Sequence, residues 1–201
     1  MVVKDGPCPK LFLSDQRDYL HGGDLLDVLV TTFRIEAPVA LRIFKLSDAA
    51  LEIARSTGQS ADRRAAFLAV GEEGRAQGYW LSTRRGEVIT ERSALSDDHI
   101  LADCEVTQMR ASLANPDPSR KGRVAVVLAV ALVKKLYPGA KWRLGDISCR
   151  CYFDTVAWFS VKLHHDSSRF VILSVEADGA QWGRLVLVRS QEGTSDDVEQ
   201  P

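Results

Sequence analysis

From Val124 to Val133 the chain reads Val-Ala-Val-Val-Leu-Ala-Val-Ala-Leu-Val, with no polar side chain on any face. A helix that is apolar all round has to be covered on every side. This run is about half the length needed to span a bilayer, so it predicts a buried helix over Arg123–Tyr137. Pro138 and Gly139 stop that helix. The residues around it must therefore wrap it. Downstream, Trp142–Phe153, Ala157–Leu163, Phe170–Glu176 and Trp182–Arg189 read as consecutive antiparallel strands, separated by turn signals at His164–Arg169 and Asp178-Gly179. The four tryptophans (Trp80, Trp142, Trp158 and Trp182) lie on strand candidates, where sheet packing explains them as well as a ligand tunnel would.

The same order of elements occurs once before. Leu25, Leu26, Leu29 and Val30 recur at helical spacing, predicting a helix from Asp24 to Phe33 that closes before Pro38. A short strand candidate, Leu11–Leu13, precedes it. Val39–Leu46, Ala65–Val70 and Gln77–Thr83 follow as strands, the last two flanking the hairpin signal Gly71-Glu-Glu-Gly74. Ala49–Ser56 suits a helix or a strand, and Glu87–Arg92 and Asp98–Gln108 are further strand candidates. The polar run Asn115-Pro-Asp-Pro-Ser-Arg-Lys-Gly122 divides the chain. The expected units are residues 1–114, residues 115–189 and an acidic, disordered tail over 190–201. The alternation of strand and helix that a doubly wound parallel sheet needs is missing. The fold class is α+β.

Chemistry is most readily placed at Tyr19-Leu-His-Gly-Gly-Asp-Leu-Leu-Asp27. The glycines permit a sharp turn into the first helix, and backbone N–H groups at a helix start favour an oxyanion. His21-Gly22-Gly23 followed by a leucine-rich helix resembles the start of the central helix in hot-dog-fold acyl-thioester proteins, notably the phenylacetyl-CoA thioesterase type. The resemblance implies a double hot-dog, with two curled antiparallel sheets each wrapped around a central helix. It implies an acyl-CoA or acyl-carrier-protein thioester hydrolase or acyltransferase, with no cofactor. A non-catalytic acyl-binding or protein-interaction module is the alternative. Under the resemblance, the N–H of Gly22 or Gly23 polarises the thioester carbonyl, Asp27 acts as base, and His21 and Tyr19 give polar support. The family's acid lies about nine residues after the histidine, where this chain has Val30. The structural reading of Asp24 and Asp27 is a carboxylate-rich cap on their own helix.

Arg120, Lys121 and Arg123 stand just before the buried helix, where three cations beside helix N–H groups suit the phosphates of a carrier. A solvated loop is the plain alternative. The glycine pattern of a P-loop is absent. A formal net charge of -1 gives no pull toward nucleic acid or an anionic membrane. Cys8, Cys104, Cys149 and Cys151 lack metal-ligand spacing, and adjacent His164 and His165 on a strand would face opposite ways, so no metal site is expected. With no signal peptide read at the N-terminus, reduced thiols and a cytoplasmic location are expected, and a homodimer is left open.

Overall fold

The computed structural model describes residues 6–8, 11–14, 20–45, 48–56, 64–72, 74–93, 96–150 and 155–190. Tyr19, Cys151 and the segment 191–201 lie outside the described residues, and so do the expectations attached to them. In chain order the elements are β1 (Gly6–Pro7), β2 (Leu13–Ser14), α1 (Gly22–Phe33), β3 (Val39–Ile43), β4 (Ala49–Arg55), β5 (Arg64–Val70) and β6 (Gln77–Val88). Then follow β7 (Arg92–Ser93), α2 (Asp98–Ala102), β8 (Glu105–Val106), β9 (Arg110–Ala114), α3 (Lys121–Leu136), β10 (Trp142–Cys149), β11 (Trp158–Asp166), β12 (Phe170–Ala177) and β13 (Ala180–Arg189).

The strands join into one eleven-stranded sheet, where two separately curled sheets were expected. Its order is β1-β4-β6-β5-β3-β10-β13-β12-β11-β9-β8, and β2 and β7 form a separate parallel pair. The seam is β3 against β10, antiparallel, with Leu41 opposite Ile147 and Val39 opposite Cys149. Each would otherwise be an edge strand with unpaired N–H and C=O groups, and pairing them satisfies both. The two sides of the seam are not strand-for-strand copies. After β10, the next three strands pair in reverse chain order, β13-β12-β11, whereas after β3 the order is β5-β6-β4. The strand just before the Asn115–Gly122 run, β9, pairs with β11 and so belongs to the second side of the sheet.

Two other expectations change. Asp98–Ala102 is a short helix rather than a strand, because the Ser96 hydroxyl accepts the Asp98 N–H and starts a turn. Ala49–Arg55 resolves as a strand, with Leu51 and Ile53 turned inward and Glu52 outward.

The long helices pack on one another and share one core. Leu25, Leu26 and Leu29 of α1 and Val124, Ala125, Leu128, Ala129, Leu132 and Val133 of α3 are buried. α3 also packs against β9, β10, β11 and β13, and α2 covers another side. Its apolar circumference thus meets protein on most faces, as its sequence demands. Among the described residues, no helix is long and apolar enough to cross a membrane.

Candidate functional site

The closest approach of the two long helices is at their first turns. A Cβ on Gly23 would lie 2.6 Å from the Gly122 carbonyl oxygen and 2.7 Å from the Arg123 Cα. Only paired glycines allow this proximity. It brings Asp27 against the start of α3. The Gly122 N–H donates to Asp27 Oδ1 at 2.7 Å, and the Arg123 N–H donates to Asp27 Oδ2 at 2.9 Å.

This revises the capping reading. α1 begins at Gly22 with His21 at its N-cap, whose side chain makes no capping hydrogen bond. α3 has no acidic residue in its own first turn and no cap from its own N-cap residue, Arg120. Asp27 supplies from α1 the carboxylate that this helix start lacks. Burial pushes the Asp27 carboxyl well above its ordinary value of 3.8, against the opposing pull of the two N–H groups.

Beside it lies an ion-pair cluster. The Arg123 guanidinium is buried and reaches Asp24 at 3.1 Å and Asp97 at 2.8 Å. The Asp97 carboxylate accepts from both Arg123 Nη2 and Nε, a charge-assisted fork that ties the start of α2 to α3. Burial raises the Asp24 carboxyl even so, with Arg123 opposing it. His21 is buried too, with its Nδ1 3.9 Å from Asp24.

Two clefts adjoin these helix starts, and the residues expected to act together are divided between them. The first, about 600 Å³, is lined by Asp24, Asp27, Ser119, Arg120 and Arg123, with an apolar wall that includes Leu20, Leu25 and Val28. The second, about 580 Å³, is lined by His21 and Gly22 together with residues of β10 and α3. Leu20 lines both. Gly22 is held tightly there: a Cβ would collide with the Ile43 side chain and approach Leu144 to 2.7 Å. Gly23 sits in the helix contact, and Lys121 is fully buried and lines neither cleft.

Several residues around these clefts were not singled out from the sequence. Asp97 reaches Arg123 only because α2 folds back on α3. Lys45, Lys134, Lys141 and Arg143 surround the second cleft from segments far apart in the chain. The alternation Lys141-Trp-Arg143 was the one local hint that two cations share a strand face. Among the described residues, no group of three or more His, Cys, Asp or Glu could hold a metal ion.

No protein-family model matches the sequence, and no curated protein matches it. A conserved protein of unknown function with a hot dog fold, from Alicyclobacillus acidocaldarius, is similar at 10% identity and TM-score 0.48, covering 94% of this chain and 93% of its own. The tesB protein of Mycobacterium avium subspecies paratuberculosis is similar at 11% identity and TM-score 0.46, over 90% and 91%. An acyl-ACP thioesterase from Bacteroides thetaiotaomicron is similar at 11% identity and TM-score 0.43, over 90% and 95%. None of these is close enough to transfer an activity or a residue's role. Each is a likeness in fold to a solved structure, at a TM-score below 0.5.

Proposed function

We propose that the protein is a double hot-dog in one chain that hydrolyses or transfers the acyl group of a thioester carried on CoA or an acyl-carrier protein. The observation that carries this reading is Asp27. Its carboxyl is held against the first N–H groups of a buried helix, in the wall of a cleft of about 600 Å³ that also offers an apolar surface. A helix start is a preorganised source of positive potential for the oxyanion of a tetrahedral intermediate. A carboxyl whose pKa burial has raised is, once ionised, a stronger base than an ordinary aspartate.

In this mechanism Asp27 takes a proton from water or an acceptor alcohol as the attacking oxygen bonds to the thioester carbonyl. It returns that proton to the carrier's sulfur when the C–S bond breaks and the thiol leaves. The developing oxyanion is stabilised by the N–H of Gly22 or Gly23 at the start of α1. Arg120, at the rim, supplies positive charge for a carrier's phosphate, while the Arg123 charge is taken up by Asp24 and Asp97. The apolar wall takes the acyl chain. His21 contributes polar support through Asp24, and Tyr19 remains a candidate for the same role.

A second reading, a non-catalytic acyl-binding module, is favoured by one specific feature. Both Asp27 oxygens already accept backbone hydrogen bonds. Under that reading Asp27 is a helix cap donated across the core. The test is mass-spectrometric turnover of a mixed acyl-CoA panel by the wild type, Asp27→Asn and Asp24→Asn, with folding checked by thermal melting. Turnover that falls at least tenfold in a folded Asp27→Asn protein, and less in Asp24→Asn, supports the enzyme. Wild-type protein that retains acyl-CoA but turns none over supports the binding module, and protein that does neither refutes both.

A further inference from the structure

An antiparallel sheet covered on one face ordinarily presents polar side chains on the other. Here Leu41, Leu68, Leu81, Ile147, Leu185 and Leu173 point into the core shared with α1 and α3. Their chain neighbours point the other way, and the strand pairings align them into one row across six strands. The row is Trp80 of β6, Phe67 of β5, Arg42 of β3, Asp146 of β10, Val186 of β13 and Ile172 of β12. Trp80, Phe67, Val186 and Ile172 are apolar and only half-buried on this outward face. Phe44, 47% exposed, extends the aromatic end, its ring centroid 6.1 Å from that of Trp80. The Arg64 guanidinium carbon lies 3.8 Å from the Trp80 ring centroid and steadies that ring.

The order along the row is self-complementary about the seam between β3 and β10. Outward from the seam, one side carries Arg42, Phe67 and Trp80, and the other carries Asp146, Val186 and Ile172. A two-fold axis along the seam, parallel to the strands and midway between two facing sheets, turns each side onto the other. It sets Arg42 on the partner's Asp146, Phe67 on the partner's Val186 and Trp80 on the partner's Ile172. Every contact joins opposite charges, or an aromatic ring to a β-branched side chain, and no like charges meet. The next row continues the fit, since the exposed Arg184 comes over the partner's Ala69, which leaves it room. Within one chain Arg42 Nε reaches Asp146 only at 3.5 Å and its side chain is 67% exposed, so a facing carboxylate has access to it. Six strands about 4.8 Å apart span roughly 24 Å, the breadth of a small interface, which fits association in the micromolar range.

We propose that the outward face of the sheet is an interface between two copies of this chain, packed sheet on sheet about a two-fold axis along the β3–β10 seam. Aligned packing of twisted sheets concentrates contact on the central strands, where this row lies. The interface is on the face away from the two long helices and does not rest on the thioester reading.

The test is sedimentation equilibrium of the full chain from about 1 to 100 µM. Arg42→Glu and Asp146→Lys are made separately, and thermal melting checks that each is folded. The wild type is expected to form a concentration-dependent dimer. Each variant puts like charges together across the seam of its own dimer and should associate at least tenfold more weakly. Mixed in equal amounts, the two variants should regain at least tenfold, because opposite charges again meet at every seam contact. Mixing cannot relieve a strain inside one monomer, so the recovery reports the contact between copies. Trp80→Ser should also weaken the dimer, whereas Val88→Ser, at an exposed apolar position outside the row, should not. A dimer that the single variants and Trp80→Ser leave intact, or a mixture that stays monomeric, would overturn the proposal. A wild type that is monomeric throughout would also overturn it and leave this face to a different protein.

Discussion

Gly22 and Gly23 are neighbours in sequence, yet the structure predicts different consequences for the same methyl group. At Gly23 the three atoms nearest an added Cβ are all backbone: the Gly122 carbonyl oxygen at 2.6 Å, the Arg123 Cα at 2.7 Å and the Gly122 carbonyl carbon at 2.7 Å. No rotamer change relieves such a contact. Ordinary van der Waals spacing begins near 3.4 Å, so α1 and α3 must separate by roughly 0.8 Å at their starts. Overpacking of this kind costs about 1–3 kcal/mol. The separation also stretches the hydrogen bonds from Gly122 and Arg123 to Asp27 past good geometry, and charge-assisted bonds contribute about 1.5–3 kcal/mol each. Against this, alanine in a helix regains up to about 1 kcal/mol over glycine. The net expectation for Gly23→Ala is a loss of at least roughly 3 kcal/mol.

At Gly22 the obstacles are the ends of the Ile43 and Leu144 side chains, which can turn aside. Gly22→Ala should therefore cost about 1 kcal/mol or less after the helix gain. Urea unfolding of both variants measures the difference, with Gly23→Ala shifted by on the order of 1 M and Gly22→Ala by much less. Equal midpoints, or a larger loss at Gly22, would refute the claim that backbone contact between two helix starts fixes this part of the core.

The ion-pair cluster makes a sharper case. Arg123→Ala strands Asp24 and Asp97 around a cavity and should cost about 3–5 kcal/mol in chemical unfolding, whereas Asp24→Asn, at a more exposed position, should cost less. A reversed order would mean that the buried guanidinium is not what the carboxylates depend on. Asp27 also carries a pH dependence. Its folded-state pKa is raised, so the folded protein keeps a proton that the unfolded chain has lost, and stability falls as pH rises from about 3.8 through the folded value. Asp27→Asn should flatten that fall in urea midpoints taken from about pH 4 to 8; an unchanged slope would remove Asp27 as its source. Finally, burial, reinforced by Glu52, pushes the Cys8 thiol up to about 12. Iodoacetamide near pH 8 should leave Cys8 unmodified in the native protein and label it in urea, and rapid native labelling would contradict that burial.

The sequence by itself determined the elements whose patterns are one-dimensional. An apolar run without a polar face placed a buried α3 within two residues of its observed bounds, and the leucine spacing placed α1 within two at its start and to the residue at its end. The Gly71–Gly74 hairpin and the last strands were legible because turn residues punctuate alternating runs. Asp27 could be named as a residue of interest, but its partner could not. Its hydrogen bonds reach Gly122 and Arg123 across nearly half the chain, and their geometry exists only because Gly23 and Gly122 let two helices touch.

Tertiary structure alone decided that β3 and β10 join the strands into one sheet, since edge pairing depends on which strands arrive side by side rather than on their composition. It also decided which charges are spent. Arg120, Lys121 and Arg123 look alike in sequence, yet Arg120 stays at a rim, Lys121 is fully buried and Arg123 is clamped between two carboxylates. The side chains of the row from Trp80 to Ile172 come from six strands with no common spacing, so only the folded sheet lines them up. Charge and burial belong to positions in space, and the chain reveals them only where neighbours in space are also neighbours in sequence.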